Sequence, residues 1–296
     1  MVPHLIRRAA LGVTLGVALA GIAATAAAVP SQAAASPARA AGGVSAQSPA
    51  AARVIIRDVR VPVPGQHAIP AYLVRSAGPL PRGSQAGILF LHWLGQIHSD
   101  RTEFLAEAVQ LASHGAVSLL PEGTFPYTVA PKGTRHDVTA IRRQLAAFRA
   151  ALNWLIARPA VDHARVGIVG HDYGAMYGTL LASSDRRVHA AVLATPDATW
   201  GHWFVKYWLG FTGQKAARYK ALFARLQPVR HVARLGRREL FQWAGQDIYI
   251  GAAIRQQFAR RAPHAPVDLY PDADHQLTSA AQADRDTFLT RELGLS

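Results

Sequence analysis

The stretch VGIVGHDYGAMYG, residues 166–178, decides how the chain is read. An apolar run ends at Gly170, a second glycine follows at 174, and Ala175 and Gly178 extend a small-residue face. This order predicts a buried strand, a tight turn and a helix that packs closely on the strand. Asp172 stands at the apex of that turn. Glycine on either side removes the Cβ atoms that would hold strand and helix apart.

Outward from this turn, AGILFLHW (86–93), AVSLLP (116–121), ARVGIVG (164–170), VHAAVLAT (188–195), RELFQWAG (238–245) and PVDLYP (266–271) read as strands. The continuous apolar runs among them suit strands buried on both faces. Helices are expected between them. Ser99 or Asp100 is placed as the cap of a helix reaching His114, with Glu103 at the capping-box position. Asp137 opens another, carrying Ile141, Leu145, Phe148, Leu152 and Leu155 at helical spacing and closed by Pro159. Further helices are expected over about 173–184, about 250–261 and at the end of the chain. RVIIRDVRVPV (53–63) and AIPAYLVR (68–75) alternate, so they form an antiparallel pair turning at Pro64-Gly65. The predicted class is α/β: an eight-stranded, mostly parallel sheet with helices on both faces.

Residues 197–235 break the rhythm. They hold Trp200, Trp203, Phe204, Tyr207, Trp208, Phe211, Tyr219 and Phe223, and they exceed an ordinary crossover in length. They read as a small helical aromatic cap over the carboxyl edge of the sheet, where ligands bind in such folds. A core helix whose aromatics merely pack is the alternative.

Residues 1–35 carry Arg7 and Arg8, then an apolar run from Ala9 to Val29 and small residues around 26–35, the pattern of a secretory signal. The expected location is therefore secreted, with an uncleaved anchor as the alternative, since the run is long enough to span a bilayer. Residues 36–52 read as a disordered leader, and 53–296 as the folded domain. The membrane is expected to matter only through the export signal. The chain has no cysteine, which excludes disulfides and thiolate chemistry. Its formal net charge is +14, but only four of the 32 basic residues are lysine and the arginines are scattered. No nucleic-acid partner is expected; weak adhesion to acidic cell-wall polymers is the functional alternative. His98, His114 and His136 lack partners at metal-ligand spacing, so no metal and no cofactor are expected.

Taken together, LFLHWLG, LNWLIARPAVDHARVGIVGHDYG, FQWAGQDIYI and YPDADHQL resemble the α/β-hydrolase fold, and within it the dienelactone-hydrolase-like family. The likeness covers roughly residues 53–293. It implies a nucleophile at position 172 where the usual motif, G-x-S-x-G, has serine. It also implies a histidine after the last strand, which is His275, and an acid one strand earlier. Asp247 fits that place, with Asp197 competing. His171 is expected to point sideways as a packed, hydrogen-bonded residue. The implied oxyanion hole uses the backbone N–H of Tyr173 and of Leu94. Trp93 stands where the family has glycine, which narrows the floor of the pocket. Trp93, Trp203, Tyr207 and Tyr219 are the expected pocket residues.

Aspartate changes the chemistry. Carboxylates titrate near 4 in model peptides, about 11 units below hydroxide, so attack on an ordinary ester is on the order of 15 kcal/mol uphill in leaving-group terms. Attack on a saturated carbon bearing halide or strained epoxide oxygen avoids that and leaves an alkyl ester for water to cleave. Halide displacement is disfavoured, because Tyr173 and Leu94 replace the tryptophan and donor side chain that the resemblance would require. The expected function is a hydrolase with a covalent intermediate on Asp172 and His275 activating water. Its substrate is a small, apolar molecule of ester, lactone or epoxide type. A non-catalytic binding protein on the same fold is the alternative.

Overall fold

The computed structural model describes residues 53–95 and 97–296; the expected signal and leader lie outside the described residues. Eight strands, β1 (Val54–Val61), β2 (Ile69–Ser76), β3 (Gln85–Leu91), β4 (Ala116–Pro121), β5 (Val161–His171), β6 (Val188–Ala194), β7 (Glu239–Ala244) and β8 (Val267–Tyr270), form one sheet. Their order is β1-β2-β4-β3-β5-β6-β7-β8. β1 and β2 pair antiparallel, as does β2 with β4; every later neighbour is parallel.

The continuous apolar runs serve two cores at once. Along β3, Leu89 and Leu91 join the core beneath α2 (Arg135–Ile156) and α3 (Tyr173–Ala182). Ile88 and Phe90, alternating with them, join the core beneath α1 (Leu105–Ala112) and α7 (Ser279–Leu293). Side chains alternate across a strand, so a strand covered on both faces has no polar side to spare. Between β6 and β7 come α4 (Trp200–Phe204), a π-helical turn over Val205–Leu209, α5 (Gly213–Ala221) and three short 3₁₀ turns. α6 (Ala252–Arg261) precedes β8. Among the described residues no helix is long and apolar enough to cross a membrane.

Two helix starts differ from expectation. α2 begins at Arg135, with Thr134 as its cap and Asp137 three residues in, closing a capping box. α1 begins only at Leu105, after turns over 101–104. There the Asp100 carboxylate accepts from the Thr102 N–H and hydroxyl, a local turn that competes with helix. Glu103 makes no capping box; its carboxylate points into the protein.

Gly174 fixes how closely α3 approaches the sheet, because a Cβ there would strike the backbone carbonyls of Leu91 and His92. Gly174→Ala is expected to lower stability by about 3 kcal/mol, measured by denaturant unfolding. A loss under about 0.5 kcal/mol would contradict the close approach.

Candidate active site

β5 delivers Asp172 to the carboxyl end of the sheet, where the backbone turns sharply into α3. The residue has φ 51° and ψ −115°, a conformation that L-residues other than glycine rarely adopt. Two hydrogen bonds hold it: its N–H donates to Ala194 (3.0 Å), and its carbonyl accepts from Met176 N–H (3.0 Å). Such strain costs of order 1–3 kcal/mol and persists only where the surroundings impose it. The Asp172 side chain is 1% exposed.

The structure brings Asp172, His275 and Asp247 together in series. Asp247 Oδ1 accepts from the N–H groups of Tyr249 (2.8 Å) and Ile250 (2.9 Å). Its Oδ2 accepts from His275 Nδ1 at 2.7 Å. That bond fixes the ring so that Nε2 faces Asp172 Oδ1, 3.8 Å away. Burial works against the charge on Asp247, but the His275 proton and the two amides outweigh it and hold the carboxyl below its ordinary value. Burial likewise opposes charge on His275. The carboxylates of Asp172 and Asp247 overcome this and raise the imidazole from 6.5 to about 9. At neutral pH the ring is therefore an imidazolium between two carboxylates. Asp197 is not part of this series; its carboxylate takes His202 Nδ1 at 2.8 Å and the Thr199 N–H at 2.8 Å.

The two Asp172 oxygens have different surroundings. Oδ2 accepts the Leu94 N–H at 3.3 Å. Oδ1 is buried with no hydrogen-bond partner among the described residues. Tyr173 occupies the first position of α3, where the N–H has no acceptor within the helix. The 92–95 loop that presents Leu94 is pinned from below. His92 Nδ1–H donates to Trp93 O (2.9 Å), while its Nε2 accepts from Gly123 N–H (2.9 Å). Burial pushes this imidazole down to about 4, so it is neutral and makes no ion pair with Glu122, 3.5 Å away. Tyr127 donates to the His92 carbonyl at 2.9 Å.

Aromatic rings surround the imidazole. Trp203 lies 6.2 Å from His275, Trp93 6.3 Å, and Tyr249 5.2 Å in an edge-on arrangement. Tyr207 packs on Trp203 at 4.7 Å and donates its hydroxyl to the Tyr249 carbonyl at 3.1 Å. Tyr173 accepts from Trp208 Nε1 at 2.8 Å, which locks its ring under the segment before β7. Tyr219 is a correction: its hydroxyl donates to Asp137 Oδ2 at 2.6 Å. It borders a separate recess of about 390 Å³ with Phe211, Lys215 and Arg218. It anchors α5 to α2 and does not face Asp172.

Two residues at this site escaped the sequence reading. Tyr249 lies only two positions after Asp247, so the acid loop itself pointed to it. Glu103 carried no such signal, since its spacing also fits a helix cap. His171 is packed sideways as expected, with Nδ1 on Glu103 at 2.6 Å and Nε2 on the His275 carbonyl at 2.8 Å. Among the described residues no three His, Asp or Glu side chains gather as a metal site.

A mostly parallel eight-stranded sheet carrying carboxylate, acid and imidazole on the loops after β5, β7 and β8 defines an α/β hydrolase. The chain belongs to the dienelactone hydrolase family, whose model matches residues 110–287, more than half of its length. Asp172, Asp247 and His275 lie inside that stretch; Leu94 and Glu103 lie before it. Among curated proteins none matches. Among solved structures, the acetyl xylan esterase from Paenibacillus sp. R4 is similar at 15% identity and a TM-score of 0.64, covering 82% of this chain and 89% of that one. A protein from Klebsiella pneumoniae described as a dienelactone hydrolase has a TM-score of 0.58 at 17% identity, over 82% of this chain and 99% of that one. The Pyrococcus furiosus esterase PF2001 has a TM-score of 0.57 at 14% identity, over 81% and 92%. At these identities the likeness is one of fold.

Proposed function

We propose that this hydrolase works through an ester formed on Asp172 by attack of Oδ1 on a saturated carbon, the ester then being cleaved by water that His275 activates. One observation carries the reading: the Leu94 amide meets an oxygen of the aspartate itself. In acyl transfer by a serine enzyme, the corresponding donors hold the carbonyl oxygen of the substrate. Here Oδ2 occupies that position, as it must if Asp172 becomes the acyl group under attack. Oδ1, without a partner and facing His275, is left to form the bond.

The proton ledger closes on this arrangement. The resting site holds an Asp172 carboxylate and a His275 imidazolium. Oδ1 bonds to carbon and the carbon–oxygen bond of a strained ring breaks, its electron pair going to the departing oxygen. That oxygen takes up the Nε2 proton of His275, the one that faces Asp172. Asp172 is now a neutral ester, so one of the two carboxylates that held the proton on His275 is gone and the ring becomes a base. It takes a proton from water as water attacks Cγ, with the amides of Leu94 and Tyr173 holding Oδ2. Expulsion of the product alcohol restores the ion pair.

The site is buried and lined by Trp93, Trp203 and Tyr249, which suits a small, apolar epoxide. Family membership favours a second reading, hydrolysis of an enol-lactone or activated ester through a mixed anhydride on Asp172. Its leaving group must be far less basic than an alkoxide. Turnover of a panel of small epoxides, enol-lactones and aryl esters decides between them. Epoxide opening with alkyl esters untouched is the expected result; efficient hydrolysis of alkyl esters would overturn both readings. Export of the protein is part of the proposal and rests on the amino-terminal sequence.

A further inference from the structure

We propose that Glu103 and His171 are positioning residues that tie the Leu94 amide and the His275 imidazole to one another across Asp172. The inference rests on the function proposed above. Three hydrogen bonds, one buried and two partly buried, form a continuous path between the two loops. Trp93 N–H, one residue before Leu94, donates to Glu103 Oε2 at 2.6 Å. Glu103 Oε1 meets His171 Nδ1 at 2.6 Å. His171 Nε2–H donates to the backbone carbonyl of His275 at 2.8 Å. The His171 ring also stacks on Trp93, 5.0 Å between centroids and 8° from parallel, so it holds the 92–95 loop by contact as well.

Donor counting fixes the directions. The His275 carbonyl only accepts, so Nε2 of His171 must carry hydrogen; the Trp93 amide only donates, so Oε2 must accept. A single proton then lies between Nδ1 and Oε1, and the bond persists whichever atom holds it. Burial raises the Glu103 carboxyl while the adjacent His171 ring lowers it. A buried polar pair of this kind is a poor source of stability, because apolar groups of similar shape pack as well or better. Its distinctive contribution is direction. Each end of the path fixes a backbone group beside a reacting atom, and His171 itself directly precedes Asp172.

This arrangement predicts an unusual order among variants. In Glu103→Gln the amide oxygen still accepts from Trp93 N–H, and the amide N–H donates to Nδ1 of a neutral His171 whose Nε2–H still reaches His275. Glu103→Gln should therefore keep kcat within about threefold of wild type. Glu103→Leu combined with His171→Phe replaces the pair by an apolar one that packs and folds but has no direction. It should keep its thermal midpoint and KM while kcat falls about a hundredfold, the scale of a misplacement near 1 Å. A purely structural role would leave kcat of the folded double variant near wild type, and that result would overturn the proposal, as would a Glu103→Gln variant as slow as the double one. A single wild-type turnover in heavy-oxygen water, run alongside, separates this from failure of the function. An Asp172 peptide that gains no heavy oxygen removes the covalent reading, whereas the kcat comparison reads the positioning role with any substrate that is hydrolysed.

Discussion

Asp172→Asn is expected to abolish turnover, with kcat reduced about 10⁴-fold or more. The amide is isosteric, so the strained turn and its bonds to Ala194 and Met176 remain. What disappears is the charged oxygen that forms the bond. The same change removes one of the two carboxylates that raise His275 to about 9, so the imidazole should titrate lower, visible as a shift in its proton resonances with pH. Asp172→Ser makes the opposite test. A hydroxyl at the apex has His275 and Asp247 in line to deprotonate it, so epoxide opening should vanish and activity on aryl esters should appear. An Asp172→Asn enzyme retaining more than a hundredth of wild-type kcat would place the chemistry elsewhere.

His275→Gln carries the second large effect. The ring gives its proton to the departing oxygen as the ester forms and serves as base when water cleaves it, so its loss should slow both steps. Steady-state kcat should fall about 10³-fold or more, and kcat/KM should fall with it. The wild-type pH profile follows from the same charge logic. Below about 9 the free enzyme holds His275 protonated, and that proton is required by the departing oxygen, so kcat/KM should fall as pH rises through about 9. In the ester Asp172 is neutral, the imidazole titrates lower, and kcat should lose activity on the acid side instead. A kcat/KM profile that rises through pH 9 would contradict the resting ion pair.

The eight strands, and the two-sided burial of the central ones, were legible because strand burial is written locally, in alternation and in unbroken apolar runs. The turn at Asp172 was legible for the same reason: Gly170 and Gly174 flank the apex within five residues, and close packing there admits nothing larger. The order of the loops, given the family resemblance, pointed to His275 and Asp247, and the structure sets them 2.7 Å apart. Glu103 shows where local reading ends. Its spacing from Asp100 and Ser99 matches a helix cap, but its actual partners are His171, 68 residues away, and the Trp93 amide. Nothing within one turn of helix distinguishes a carboxylate that caps from one that turns inward. Tyr219 failed likewise. An aromatic-rich segment supplies several phenols, and only tertiary packing chose Asp137 as the partner of this one. The Leu94 amide pointed to a donor for the site, but that it would face the aspartate's own oxygen required the fold.

A single turnover in heavy-oxygen water, with enzyme in excess over a small epoxide, reaches the bond-forming step itself. Oδ1 should depart in the product, so the first diol should be free of label, and the peptide containing Asp172 should gain one heavy oxygen. Label in the diol with an unlabelled Asp172 peptide would mean that water attacked the substrate directly, and that the aspartate never bonded to carbon.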